Sequence, residues 1–194
     1  APRVGAVGDV HASYDNLVAV LRLAGLVDAK AKWAGGKAHL VQTGDLLDRG
    51  KDTRKVLDLL MRLEGEARKA GGRVHALLGN HEVMNMLGDL RYLNAEEYAA
   101  FRTPDSVAYR EAFIRSATER ARERAKAAGE AFDEAGHRAK LAEQVPLGFV
   151  ERAKEFSAEG RYGKWLRQRP VMAIVNGVVF VHGGLTPEVA ALGC

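Results

Sequence analysis

The chain has 194 residues, of which 47% are hydrophobic and 28% charged, as in an ordinary folded domain with its own core. Its net charge of +4 is small and its Lys and Arg are interspersed with Asp and Glu, so the composition does not indicate nucleic-acid binding. No apolar run is long enough to span a membrane, and the single cysteine, Cys194, excludes an internal disulfide or a cysteine-ligated metal site.

The first part of the chain alternates between two hydrophobic periods. Short apolar runs predict strands at Val4–Val7, 37–43 and 73–78. Between them, apolar residues recur with a helical period over 15–27 and over 52–69. The order strand, helix, strand, helix, strand indicates an α/β sheet layer.

The middle of the chain has a different character. Apolar residues over 84–93 predict a short helix. The strongly charged tract at 119–126 pairs Glu with Arg or Lys at a spacing of three, which favours a helix. We therefore expect a mainly helical insertion or cap at about 95–165.

The sequence of the last part of the chain predicts further β-strands. Residues 160–170 are read as a turn-rich connection, followed by strands at 171–175 and 178–181 around an Asn176-Gly177 hairpin turn. Nine residues follow the segment 178–185, and a strand that central rarely closes a domain. We expect residues 1–194 to form a single domain that is incomplete at its C-terminus.

Polar side chains follow the predicted strands. Asp9, Asp45 and Asn80 each follow a glycine where a strand stops, and the carboxyl ends of parallel strands share one edge of a sheet. If the chain stays extended, His11 points to the same face as Asp9, and His182 follows the last strand. This set of oxygen and nitrogen donors suits two ions such as Mn, Fe or Zn, with a shared carboxylate between them, which is the usual clamp for in-line attack on phosphorus.

Three further residues beside these donors have useful chemistry. Arg49 can bind phosphate oxygens with its planar guanidinium. His81 can protonate a leaving oxygen, with Asp48 orienting its ring. Two of them have plainer structural interpretations, since Asp48 could cap a helix and Arg49 could be a surface cation. Their joint occurrence at predicted strand ends favours a site.

Four segments carry a resemblance to a known family. They read Gly-Asp-x-His, Gly-Asp-x-x-Asp-Arg-Gly, Gly-Asn-His-Glu and His-Gly-Gly, at residues 8–11, 44–50, 79–82 and 182–184. The sequence resembles the phosphoprotein phosphatase family of calcineurin-like metallophosphoesterases. The tract 165–170, leading into 179–185, is most similar to the bacterial Shewanella-like phosphatases. The resemblance implies a β-sandwich with flanking helices and a two-metal centre at its edge.

The resemblance also implies roles for individual residues. The two metals would share Asp45, with Asp9, His11 and Asp45 holding the first and Asp45, Asn80 and His182 holding the second. A metal-bound hydroxide would attack phosphorus directly, without a phosphoenzyme. His81 would be the general acid, Asp48 would support it, and Arg49 would bind the phosphoryl group.

One departure from the family pattern concerns the second metal. The family supplies a further histidine from a strand well downstream of His-Gly-Gly, whereas this chain ends at Cys194. The other histidines, His39, His75 and His137, match no ligand position. We therefore expect the second metal to be under-ligated in this chain.

The leading functional interpretation is a metal-dependent phosphatase acting on phosphoprotein (Ser/Thr or Tyr) or on a small phosphomonoester. One alternative is a dinucleoside polyphosphate hydrolase, which usually has His-Ala-Gly where this chain has residues 182–184. Another is an inactive metal-binding or partner-binding fragment. We expect no nucleic-acid or membrane partner. The sequence leaves the location open between the cytoplasm and, if a signal peptide was removed before Ala1, the periplasm.

Overall fold

A three-stranded parallel sheet organises the fold. The computed structural model describes residues 1–192, so Cys194 lies outside the described residues. The strands are β1 (Val4–Val7), β2 (His39–Gln42) and β3 (Arg73–Ala76), in the order β1-β2-β3. Val7, Gln42 and Ala76 lie side by side at their carboxyl ends. Everything that follows these strands therefore starts from one edge of the sheet.

Two crossover helices pack on the sheet, as the apolar period predicts. They are α1 (Tyr14–Leu23) and α2 (Thr53–Lys69). Val56, Leu60 and Leu63 of α2 share a helical face and are fully buried in one core with Leu40 of β2. Burying each such side chain contributes about 1.5–3 kcal/mol, so this contact is a main source of the stability of the sheet layer.

A β-hairpin is associated with a second, smaller core. Its strands are β4 (Met172–Val175) and β5 (Val178–Val181), which pair antiparallel. The turn residues Asn176 and Gly177 have φ of 51° and 78°, as a two-residue hairpin turn requires. Val175 is buried with Val41 of β2 and Leu77 beyond β3. Two packed sheets with helices alongside confirm the predicted sandwich.

Seven further helices are described between residues 80 and 191. They are α3 (Asn80–Leu87), α4 (Ala95–Ala99), α5 (Ser106–Ala128), α6 (Glu134–Gln144), α7 (Phe149–Phe156), α8 (Arg161–Leu166) and α9 (Pro187–Ala191). Helices α7 and α8 reach the main core through Phe156, Tyr162 and Trp165, whereas α6 buries no residue. None of the helices between residues 1 and 192 is both long and apolar enough to cross a membrane.

Some predicted boundaries and one predicted connection are wrong. The helix expected at 84–93 begins earlier, at Asn80, and ends at Leu87, because Gly88 takes the left-handed conformation (φ 83°) that terminates helices. The segment 160–170, read as turns, contains α8. Tyr162 and Trp165 lie one helical turn apart and are both buried, and this tertiary packing outweighs the local glycines.

Candidate active site

The turns that leave the sheet are built from left-handed residues. His11, Asp45, Asp48 and Arg49 have φ of 46°, 57°, 69° and 64°. Such conformations are costly in residues other than glycine and persist only where surrounding contacts fix them. Here the Asp45 carbonyl accepts hydrogen bonds from the backbone N–H groups of Val10 and His11, both at 2.9 Å. Residues 9–11 therefore do not stay extended, because this contact turns the chain at His11.

Two glycines allow neighbouring turns to touch. A Cβ on Gly44 would lie 2.6 Å from the Gly79 Cα, and a Cβ on Gly79 would lie 2.5 Å from the Asp45 nitrogen. Both distances are shorter than real carbon contacts, and Gly44 also has a φ of 107°. The strand ends can approach this closely because these positions lack side chains.

A buried carboxylate fastens the same turns together. Glu82 accepts backbone N–H bonds from Gly79 at 2.7 Å, Asp45 at 2.8 Å and Leu46 at 2.8 Å. Burial raises the pKa of Glu82, and the three N–H donors oppose that shift by stabilising the carboxylate. Sequence reasoning gave Glu82 no role, although it belongs to the Gly-Asn-His-Glu segment that carries the resemblance.

The side chains predicted as metal ligands converge at this edge. The Asp45 Oδ2 atom lies 3.8 Å from His11 Nε2, and its Oδ1 atom lies 3.4 Å from His182 Nε2. Asp9 lies 3.7 Å from His11 through Oδ2 and 3.8 Å from His182 through Oδ1. Asn80 Oδ1 lies 3.0 Å from His182 Nε2. Asp45 thus presents one oxygen to each of two histidines.

The Nδ1 atoms of His11 and His182 both face backbone carbonyl oxygens. His11 Nδ1 lies 3.0 Å from the Leu47 carbonyl, and His182 Nδ1 lies 3.1 Å from the Thr43 carbonyl. With the proton on Nδ1, each Nε2 is a bare lone pair, and that of His182 faces the Asn80 oxygen. A divalent ion, or a second proton on the ring, would satisfy both atoms. Ligands held about 2.1 Å from one ion lie about 3–3.5 Å apart, so the donor set fits divalent metal.

The candidate acid lies against the same cluster. His81 Nδ1 is 2.7 Å from Asp48 Oδ2, and both side chains are buried. This bond directs His81 Nε2 toward the centre, 3.8 Å from Asp45 Oδ2 and 3.4 Å from the Arg49 Nη2 atom. Tyr92, which sequence reasoning missed, lies beside His81 with its ring centre 5.0 Å away. His81 Nε2 therefore lies where an incoming ligand would meet it, beside the Arg49 guanidinium, which can donate a hydrogen bond to it.

Two sets of three side chains have donor atoms all within 4.8 Å of one another, and both contain Asp45. They are His11, Asp45 and His81, and Asp9, Asp45 and His182. The first differs from the predicted set of Asp9, His11 and Asp45 because His81 takes the place of Asp9. Since Asp48 already binds His81 Nδ1, only its Nε2 is available to the cluster.

The remaining histidines lie elsewhere. His39, the first residue of β2, and His75, the third residue of β3, contact each other at 3.1 Å. His137, in α6, lies against the ring of Phe132. Across residues 1–192, the histidines at the cluster are thus His11, His81 and His182 alone.

Comparison with known proteins agrees with this geometry. The profile of the calcineurin-like phosphoesterase family matches residues 2–192. The chain is 32% identical over 195 residues to Shewanella-like protein phosphatase 2 of Arabidopsis thaliana, covering 96% of this chain and 47% of that protein. It is 36% identical over 77 residues to a symmetrical bis(5'-nucleosyl)-tetraphosphatase of Escherichia coli K12, covering 40% of this chain and 22% of that protein.

A solved structure extends the match. The cold-active protein-tyrosine phosphatase of a psychrophilic Shewanella species superimposes with a TM-score of 0.64 and 28% identity, over 99% of this chain and 46% of that one. The chain spans less than half the length of these relatives. Because the family profile covers nearly the whole sequence, the chain belongs to the calcineurin-like metallophosphoesterase family, and its relatives include Shewanella-like protein phosphatases.

Proposed function

We propose that this chain hydrolyses phosphate monoesters at a centre of two divalent ions. Five residues would hold the ions: Asp9, His11, Asp45, Asn80 and His182. The observation that carries the proposal is the position of Asp45, whose two carboxylate oxygens each face a different histidine. Bound ions would supply Lewis-acid stabilisation of the phosphoryl oxygens and lower the pKa of a bound water. Mn, Fe and Zn all suit these donors.

The other site residues would handle the phosphoryl group and the proton. Arg49 is exposed, lies beside His81 Nε2, and can bind phosphoryl oxygens with two parallel N–H groups. His81 would donate the Nε2 proton to the leaving oxygen. Asp48 accepts the Nδ1–H and would stabilise the positive charge of the ring before transfer.

The proposed substrate class is phosphoprotein. Support comes from the printed names of the relatives that match nearly the whole chain, which are protein phosphatases. The tetraphosphatase relative matches a shorter stretch, 40% of the chain. We therefore place dinucleoside polyphosphates second.

The test is hydrolysis of p-nitrophenyl phosphate with added Mn²⁺, together with metal content by mass spectrometry. Asp45→Ala should abolish both metal binding and turnover. His81→Ala should retain metal and lose about 10²-fold or more in kcat. His137→Ala, a histidine outside the cluster, is the matched control.

Two results would contradict the proposal. One is a His81→Ala variant as active as the unmodified chain. The other is full metal binding by Asp45→Ala. Parallel assays with a phosphopeptide and with diadenosine tetraphosphate decide between the two substrate classes, and we expect faster turnover of the phosphopeptide.

A further inference from the structure

A continuous series of buried polar side chains runs from the candidate acid into the helical region. Both oxygens of Asp48, which binds His81, lie 3.0 Å from the Asn85 Nδ2 atom and share one of its two N–H donors. Asn85 Oδ1 accepts a hydrogen bond of 2.6 Å from Arg152 Nη2. Arg152 Nε donates to Glu97 Oε1 at 3.0 Å. The series thus joins α3, α4 and α7 to the site.

Each member of the series is enclosed by the protein. Arg152 is 2% exposed and Glu97 is fully buried. The Arg152 guanidinium carbon lies 4.2 Å from the centre of the Phe156 ring, and Thr53 donates to the second Glu97 oxygen. Apolar residues of similar volume often replace a buried ion pair with no loss of stability. Stability alone is therefore a weak reason for a charged pair at this place.

The chemistry of the series fixes the direction of every hydrogen bond. Arginine can only donate, so the Asn85 oxygen must face Arg152 and the Asn85 NH₂ group must face Asp48. That NH₂ group also donates to the His81 carbonyl at 2.9 Å. Asp48 is left with acceptor capacity toward His81 Nδ1, and the ring is held with Nε2 toward Asp45.

We propose that Asn85, Arg152 and Glu97 are positioning residues that orient the His81–Asp48 pair for proton donation. This inference rests on the proposed function, since it assigns a purpose to the orientation of the acid. It also assigns a role to the helical segments between residues 95 and 156. Helices α4 and α7 thus supply hydrogen bonds to the network around His81, although neither helix carries one of the four family motifs.

The test compares esters that differ in their need for an acid. Phenyl phosphate has a poor leaving group and requires protonation, whereas 2,4-dinitrophenyl phosphate has a good one and does not. In Arg152→Lys and Asn85→Leu, kcat on phenyl phosphate should fall about 10- to 100-fold, while kcat on the dinitrophenyl ester should fall about threefold or less. Lys154→Met, an exposed residue on the same helix, should change neither rate. Equal losses on both esters would overturn the proposal.

A second readout does not require turnover. In the metal-free chain, the His81 Nδ1–H bonded to Asp48 should give a protected downfield proton resonance. Arg152→Lys and Asn85→Leu should lose this resonance or broaden it, and Lys154→Met should keep it. If the chain hydrolyses neither ester, the proposed function fails, while the resonance still decides the positioning role. An unchanged resonance in folded variants, or none in the unmodified chain, would overturn it.

Circular dichroism checks that each variant is folded. Arg152→Lys keeps a positive charge opposite Glu97. The double variant Glu97→Gln with Arg152→Met removes both charges and avoids an unpaired buried ion. The double variant should show the same selective loss of kcat on phenyl phosphate. If the ratio of its kcat values on the two esters equals that of the unmodified chain, the proposal is contradicted.

Discussion

Replacing Glu82 by glutamine tests how the turns that carry the proposed metal ligands are held together. The two carboxylate oxygens accept three backbone N–H bonds, one of them from Leu46 to Oε1 and the others from Asp45 and Gly79 to Oε2. A glutamine has one acceptor oxygen. If that oxygen takes the Oε2 position, the glutamine NH₂ group takes the Oε1 position and faces the Leu46 N–H. Two donors then face each other without an acceptor.

The size of the effect follows from this geometry. A buried donor left without a partner costs about 1–3 kcal/mol. The two surviving bonds lose their charge assistance, while burying an amide is easier than burying a carboxylate, and these changes act in opposite directions. We expect a net destabilisation of about 2 kcal/mol. For a chain of this size, that lowers Tm by about 4–8 °C.

The assay is urea unfolding at pH 7, followed by the fluorescence of Trp33 and Trp165. Glu96→Gln, at an exposed position, is the matched control and should change the free energy of unfolding by no more than about 0.5 kcal/mol. Because Glu82 fixes the turn that carries Asp45, Glu82→Gln should also weaken metal binding about 10- to 100-fold. Unchanged stability with unchanged metal affinity would refute the role assigned to Glu82.

The other predictions concern close approach, packing and pH. Gly44→Ala should destabilise the chain by about 2 kcal/mol or more, because the new Cβ meets the Gly79 backbone at a positive φ; an unchanged Tm would contradict this. Leu60→Ala, in the core, should cost about 2–5 kcal/mol in urea unfolding, whereas Leu23→Ala, at 91% exposed, should cost about 0.5 kcal/mol or less. The hydrogen bond from the Lys32 N–H holds the pKa of Asp28 below its usual 3.8, so Asp28 contributes stability above pH 3.8 that is lost as pH falls through the folded pKa. In Asp28→Asn, the free energy of unfolding should therefore fall less as the pH is lowered below 3.8. If the unmodified chain and the variant lose stability equally in acid, the interaction is absent.

The sequence was informative where local signals and global fold agree. The apolar runs located β1, β2 and β3, and the rule that parallel strands end at one edge placed Asp9, Asp45 and Asn80 together. That edge is common to the three strands in the structure. The family resemblance, carried by four short segments, is likewise confirmed by the match over residues 2–192.

What the sequence could not supply depends on contacts between distant residues. The turn at His11 is fixed by the Asp45 carbonyl, which no local pattern at residues 9–11 reveals. Helix α8 forms despite its glycines because Tyr162 and Trp165 are buried in the main core. Arg152 has no local motif, and its contact with Asn85 spans 67 positions in the chain.

The central claim is that separate turns gather oxygen and nitrogen donors around two cations that share Asp45. The most direct measurement is anomalous X-ray diffraction at the manganese edge from crystals of this chain soaked in Mn²⁺. The account predicts two peaks about 3.5–4 Å apart on either side of Asp45. A single peak away from Asp45, or no peak at the sheet edge, would contradict the account.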